Sequence, residues 1–160
     1  MNVNDEILKF RIGISGTYWD KKPEFRICIN QDEFVHATIS AGTDEIEYHE
    51  FTVHVGQGEH NHLTISLLNK TNSDVQKDNY DDPDNFKIIG DMLLNIHSIE
   101  IDEIDLGNLM RTASEYLLDE SQQYNGETVN SIKECVNLGW NGTYRFAFGS
   151  PFYVWLLENM

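Results

Sequence analysis

The sequence predicts an all-β fold, an antiparallel β-sandwich of jelly-roll-like form with a short helical and aromatic C-terminal extension. Three observations predict it. Apolar and polar residues alternate through successive short segments, as strands do when one face rests on a core. Clusters of Gly, Asn, Asp and Pro separate those segments, and these are the residues that reverse a chain. No helical periodicity interrupts the series before Leu109.

Leu8, Phe10, Ile12 and Ile14 alternate with Lys9, Arg11 and Gly13, giving a first strand that ends at Gly16. GTYWDKKP, from Gly16 to Pro23, has the composition of a loop. Its Tyr18 and Trp19 are the carbohydrate-binding candidates, since an exposed ring can stack on a sugar; the same rings can instead cover the end of the core. Phe25, Ile27 and Ile29 alternate with Arg26 and Cys28, and after the polar turn Gln31-Asp32 the run from Phe34 to Ser40 completes a hairpin. Ala41 to Asp44 then reverses the chain.

The stretch EFTVHVGQGEHNHLTISLLN, from Glu50 to Asn69, is the one around which the rest is organised. Phe51, Val53 and Val55 form one alternating series, and Leu63, Ile65 and Leu67 form another. Gly56-Gln57-Gly58 lies between them, so the stretch reads as a long β-hairpin. NKTNSDVQKDNYDDPD, from Asn69 to Asp84, has no apolar periodicity and reads as a long, oxygen-rich surface loop. It lacks the spacing and glycine of a calcium-binding helix-loop-helix motif.

Strand character returns from Ile88 to Asp102. The apolar phase shifts there from Leu94 and Ile96 to Ile99 and Ile101, which predicts a bulge near His97. Closure at Glu103 to Gly107 gives an expected sandwich domain over residues 1–107, with residues 108–160 as an extension packing on it or on a partner subunit. Leu109, Met110, Ala113, Tyr116 and Leu117 recur at helical spacing and predict a helix from Leu109 to Glu120. SQQYNGETVN reads as a loop, and Asn141-Gly142 turns into a strand at Tyr144, Phe146 and Phe148. The apolar run from Phe152 to Leu157 is too continuous for one face of a helix or strand to cover. Phe152, Tyr153, Trp155 and Leu156 are therefore the expected assembly interface, buried either in the chain's own core or in a neighbouring subunit.

Eleven basic and 27 acidic residues give a formal charge of −16. Such a chain is repelled by nucleic-acid phosphates and by anionic lipid, so direct nucleic-acid binding and membrane binding are excluded. No apolar run approaches the roughly 20 residues of a membrane span. The start MNVNDEILKF lacks the basic and apolar parts of a secretory signal, so assembly in a cytoplasm is expected. Cys28 and Cys135 match no metal or redox spacing and are expected as buried free thiols. His60 and His62 share one strand face and would form a transition-metal pair with His54 or Glu59; the alternative is a pair of exposed turn residues. The sequence contains no Gly-x-Ser-x-Gly elbow, no phosphate loop and no cysteine beside a fitting histidine and acid, so the protein is expected not to be an enzyme.

In order, GTYWDKKPEF from Gly16 to Phe25, GEHNHLTI from Gly58 to Ile65 and IGDMLLNIHSIEI from Ile89 to Ile101 resemble the calcium-dependent xylan-binding modules, which are jelly-roll sandwiches. That resemblance spans residues 7–104. It implies calcium as the cofactor, a glycan as the ligand, and Asp91 as a metal ligand, with Asp81 and Asp82 of the long loop supplying the further oxygens a hard cation needs. The chain departs from the family where Met92 and Leu93 replace an arginine and an asparagine, and where Lys70 replaces an aspartate. With the tail LGWNGTYRFAFGSPFYVWLLENM included, the whole pattern resembles small virion-associated proteins of tailed bacteriophages. This implies a non-catalytic structural or assembly component of a virion, of tail, neck or head-decoration type. Such a component would assemble in the host cytoplasm with other virion proteins or itself; the alternative is a calcium-dependent polysaccharide-binding module for host or substrate glycans.

Overall fold

β1 (Glu6–Thr17) runs through the middle of one sheet and buries Leu8, Phe10, Ile12 and Ile14 completely. It pairs antiparallel with β4 (Glu47–Val55) on one side and β8 (Leu93–Ile101) on the other. β8 also carries β12 (Asn137–Leu138) and β9 (Ile104–Asp105). This is a computed structural model, and it describes residues 5–82 and 84–160. Residues 1–4 of the expected sandwich domain and Pro83 of the expected long loop lie outside the described residues.

The facing sheet has six strands in the order β11 (Glu127–Lys133), β10 (Ser114–Tyr124), β13 (Gly142–Ser150), β5 (Gly58–Leu67), β2 (Glu24–Ile29) and β3 (Asp32–Thr38). Every pairing is antiparallel. The inward residues of both sheets, among them Phe25, Ile27, Leu63, Ile65, Tyr144, Phe146 and Phe148, meet the β1 and β8 faces in one core. At one open side Phe51 stacks between Phe10, at 5.4 Å, and Phe34, at 4.8 Å, so rings from both sheets close the edge. The antiparallel β-sandwich expected from the alternation is thus the fold observed.

The bulge lies where the phase shift placed it. Gly13 pairs with Ser98 and Ile14 with Ile96, which leaves His97 as the extra residue of β8. The β2–β3 hairpin is also present as expected.

Three local expectations are corrected. The stretch from Glu50 to Asn69 holds two strands, but they do not pair with each other: β4 bonds to β1 in one sheet and β5 to β13 and β2 in the other. At Gly56-Gln57-Gly58 the chain crosses between the sheets, with Gly58 at φ 138, a conformation that side-chain-bearing residues rarely adopt. The helix expected from Leu109 to Glu120 shrinks to α1 (Leu109–Thr112), and Ser114 onward extends as β10. The expected loop around Asn125-Gly126 is the turn of the β10–β11 hairpin, with φ of 52° and 80° at its two central residues. That pair of positive φ values in a two-residue connection matches the strand twist of a type I′ turn.

The division at residue 107 is not seen either. β13 sits between β10 and β5 in the six-stranded sheet, and β12 joins the other sheet, so residues 108–160 build both layers. The last element, α2 (Phe152–Asn159), packs on β13. Phe152 is fully buried with its ring edge-on to Phe148, and Trp155 stands edge-on to Phe146 at 5.6 Å. Leu156 is half-buried. Tyr153, Val154 and Leu157 on the other side are exposed. The apolar tail is therefore split between the chain's own core and solvent. No helix among the described residues is long and apolar enough to cross a membrane.

Candidate functional site

A cleft of about 740 Å³ opens beside the outer end of β10, where three separate parts of the chain converge. One part is the segment after β5, from Lys70 through a short 3-10 turn at Asn72–Asp74. The second is the β7–β8 junction, where β7 (Ile88–Gly90) pairs with β6 (Gln76–Lys77) as a small separate ribbon and Asp91 follows. The third is the turn Gly139-Trp140-Asn141 between β12 and β13. Asp119, Glu120 and Gln122 of β10 complete the wall.

Tyr116 builds the rim. It lies on the inward face of β10, fully buried, and its phenol finds its partner in the backbone of Trp140. The hydroxyl donates to the Trp140 carbonyl and accepts from the Trp140 N–H at 3.2 Å. Burial pushes the Tyr116 phenol well above its ordinary range, against the opposing effect of that hydrogen bond, so it stays neutral as a donor. With both its backbone groups held, Trp140 keeps its indole at the mouth of the cleft, 39% exposed.

Asn141 builds the floor. Its side-chain carbonyl accepts from the Lys70 N–H at 2.8 Å, and its amide donates to the Lys70 carbonyl at 2.9 Å, which imitates one rung of strand pairing. Just before it, Asn69 accepts from the Glu24 N–H and donates to the Lys22 carbonyl. The Lys70 backbone is thus clamped on both sides. Its side chain, only 9% exposed, carries the ammonium onto Asp91 Oδ1 at 2.5 Å, and the same oxygen accepts from the Met92 N–H.

Asp74 braces the remaining wall. Burial by itself would raise its carboxyl pKa, but hydrogen bonds from the Thr71 N–H, Lys21 and the Thr71 hydroxyl hold it below the ordinary value. Trp19 supports the same turn: its indole N–H donates to the Asp74 carbonyl at 2.9 Å, and its ring covers Gly90 so closely that a Cβ there would lie 2.9 Å from Cδ1.

The two rings proposed for sugar binding from sequence are therefore placed elsewhere. Trp19 props the wall from behind, and the Tyr18 hydroxyl donates to the Ala41 carbonyl; neither lines the cleft. Of the three acids proposed for calcium, Asp91 lies in the cleft, while Asp81 and Asp82 do not line it. Asp82 accepts instead from the Asp84 N–H and the Asn85 amide within its own turn. His60 is exposed, His62 is half-buried beside Arg145 with its pKa lowered by burial and then by that cation, and His54 lies on the other sheet. The side chain of Glu59 lies outside the described residues. Cys28 and Cys135 are free and only partly buried. The arrangement that sequence reasoning passed over is Trp140 with Asn141, although an aromatic residue in a Gly-Trp-Asn-Gly turn was a visible sign.

Chemically, the cleft offers one flat apolar face, one ammonium, and the carboxylates of Asp91, Asp119 and Glu120, with amides from Gln122 and Asn141. An anionic ligand would meet more negative than positive charge there. A neutral ligand rich in hydroxyls would find donors, acceptors and a stacking surface.

The sequence matches no protein-family model and no curated protein. The structure is similar to the solved selenomethionine form of a family-60 carbohydrate-binding module. The TM-score is 0.50 at 9% identity, over 88% of this chain and 90% of that one. That module is described with two families of calcium-dependent carbohydrate-binding modules linked by circular permutation. The residues of the present cleft do not fit a calcium ion. Asp91 is neutralised by Lys70, and no group of three His, Cys, Asp or Glu among the described residues is placed to hold a metal. The Lys70 ammonium already supplies the positive charge that a dication would bring to Asp91, so a calcium ion there would have to displace it. The likeness to the carbohydrate-binding module is accordingly one of fold.

Proposed function

We propose that the protein is a non-catalytic binding module that takes a neutral polysaccharide chain into the cleft between Trp140 and Lys70. The observation that carries this reading is the indole of Trp140, half-exposed at a cleft mouth and fixed there by the buried Tyr116 hydroxyl. Keeping a large ring in water has a cost that a purely structural turn does not need. A sugar ring laid on the indole removes that cost, and the polar groups below it bond the hydroxyls. The likeness in fold to a carbohydrate-binding module supports the same reading. A glycan array probed with the full chain, followed by calorimetry on the hits, tests it. Binding to neutral polysaccharides that Trp140→Ala weakens tenfold or more is the expected result; an array without hits overturns the reading.

A second reading concerns where the module works. We propose that it is carried on a bacteriophage particle, assembled in the host cytoplasm by contact with other virion proteins or with itself. The exposed Tyr153, Val154 and Leu157 of α2 favour this, because they form an apolar face beside a helix whose other side is already seated. Purified particles that contain the protein in fixed proportion would support it, and its occurrence only as free soluble protein would overturn it.

A further inference from the structure

Lys70 is unlike an ordinary surface lysine. Its side chain is 9% exposed, Asn141 clamps its backbone on both polar groups, and its ammonium rests on a carboxylate that faces the cleft. We propose that the Lys70 ammonium is a built-in cation, occupying the place at Asp91 that a divalent ion would take, and that the Lys70–Asp91 pair binds sugar hydroxyls directly without metal. The hydroxyl-binding half rests on the glycan-binding reading above. The cation half stands apart from it.

The chemistry follows from donors and acceptors. An ammonium has three N–H donors and no acceptor. One donor serves Asp91 Oδ1, which leaves two for a ligand. Asp91 is 30% exposed on its side chain and offers acceptor positions beside them. A sugar hydroxyl both donates and accepts, so neighbouring hydroxyls can accept from Lys70 and donate to Asp91 at once. Both bonds are charge-assisted and therefore stronger than neutral ones.

The position is also pre-organised. A lysine stem normally loses much rotamer freedom when it is held, but here burial and the bond to Asp91 have already removed that freedom before any ligand arrives. Because the ammonium and carboxylate cancel each other, the pair itself does not select for charge. Asp119 and Glu120 on the wall then turn away acidic sugars. The ligand class that results is an uncharged polyol.

The test separates the two halves. The full chain is titrated with calcium chloride alone, up to about 5 mM, above the range in which extracellular calcium modules saturate. Thermal unfolding is followed in parallel with calcium and with EDTA. Wild-type protein is expected to give no binding heat and the same melting midpoint in both, whereas Lys70→Asp gains a calcium-dependent rise of about 3 °C or more. Oligosaccharide affinity should agree within about twofold between EDTA and calcium, and Lys70→Met should lose about tenfold while remaining folded. Calcium binding by the wild type, loss of glycan binding in EDTA, or a folded Lys70→Asp protein indifferent to calcium overturns the proposal. If Lys70→Asp fails to fold, the wild-type titration and Lys70→Met still decide. An absence of glycan binding in both buffers defeats the glycan-binding reading, while the calcium titration continues to judge the built-in cation.

Discussion

Glu6 and Phe152 stand 146 residues apart in sequence and are joined by a hydrogen bond: Glu6 Oε1 accepts from the Phe152 N–H at 2.6 Å. The same oxygen accepts from the Ser150 hydroxyl at 2.6 Å. The first strand thus supplies the cap for the last helix, whose own N-cap residue, Pro151, has no side-chain acceptor. Glu6→Ala should cost about 1–2 kcal/mol, the usual range for losing a cap. Hydrogen exchange should show α2 amides losing protection while the sheets keep theirs. Unchanged α2 protection would mean that packing alone seats the helix.

Trp140→Ala removes the stacking surface and leaves the core intact, because Trp140 is 39% exposed and is not among the residues that form or pack against the core. Ligand affinity should fall about tenfold or more, with little change in melting temperature. Tyr116→Phe touches no ligand, yet it leaves the Trp140 N–H and carbonyl without their partner. It should cost about 1–3 kcal/mol of stability and also weaken binding, since the indole is no longer fixed. Calorimetry on both variants separates contact from positioning.

Gly142 opens β13 with no room for a side chain. A Cβ there would lie 2.4 Å from the Leu117 carbonyl oxygen and 2.9 Å from the Tyr116 ring. The obstacle is partly backbone, so a rotamer change cannot relieve it. Gly142→Ala should destabilise the fold by about 2–3 kcal/mol in denaturant titration. It should also alter the near-ultraviolet circular dichroism of Trp140, because Tyr116 must move.

Asp74 makes the cleft wall sensitive to acid. Its burial opposes ionisation, but bonds from the Thr71 N–H, Lys21 and the Thr71 hydroxyl win, so its folded pKa lies below the ordinary 3.8. A carboxyl depressed by folding contributes stability above its unfolded pKa and loses it as pH falls through the folded one. Lys21→Met should therefore be less stable than wild type at neutral pH, and the gap should shrink as pH drops below 3.8. A gap that persists in acid would place the role of Lys21 elsewhere.

The two sides of α2 should separate stability from association. Phe152→Ala empties a fully buried position and should cost about 3–5 kcal/mol. Tyr153→Ser with Leu157→Ser changes residues that are 50% and 75% exposed and should leave the melting temperature unchanged. If the exposed side serves assembly, sedimentation of the double variant should show loss of self-association or of particle docking.

Strand positions were legible in this sequence because burial writes itself as alternation. Strand partners were not. Val53 and Val55 on β4 and Leu63, Ile65 and Leu67 on β5 each announce a face turned to a core, and a glycine-rich gap suits a hairpin and a crossing equally. The run from Leu109 to Glu120 fails for a different reason: its apolar spacing fits a helix, but pairing with β13 and the bond from Tyr116 to Trp140 favour an extended chain. Asn125-Gly126 was a readable hairpin signal within an otherwise polar run.

At the site, Lys70 was visible as a departure from the xylan-binding pattern, and Asp91 as a retained acid. The contact between them was not visible, nor was the Asn141 clamp, because each depends on segments that meet only after both sheets have formed. Trp19 shows the converse case. Its exposure was foreseeable, but its use as a prop for the Asp74 turn required knowing which loop lies behind it.

β13 lies in the middle of its sheet although it follows every other described strand in the sequence. Until residues 142–150 have left the ribosome, one edge of β5 has no partner, and the β10–β11 hairpin has nothing joining it to the rest of its sheet. The nascent chain therefore carries an open, apolar strand edge from the emergence of β5 until β13 follows it, the state most prone to wrong pairing. Closing the sheet then brings together segments about 80 residues apart, a topology that folds slowly. A chain stopped before Gly142 would be a sticky intermediate, and a chaperone that shields strand edges would raise the yield of the folded protein.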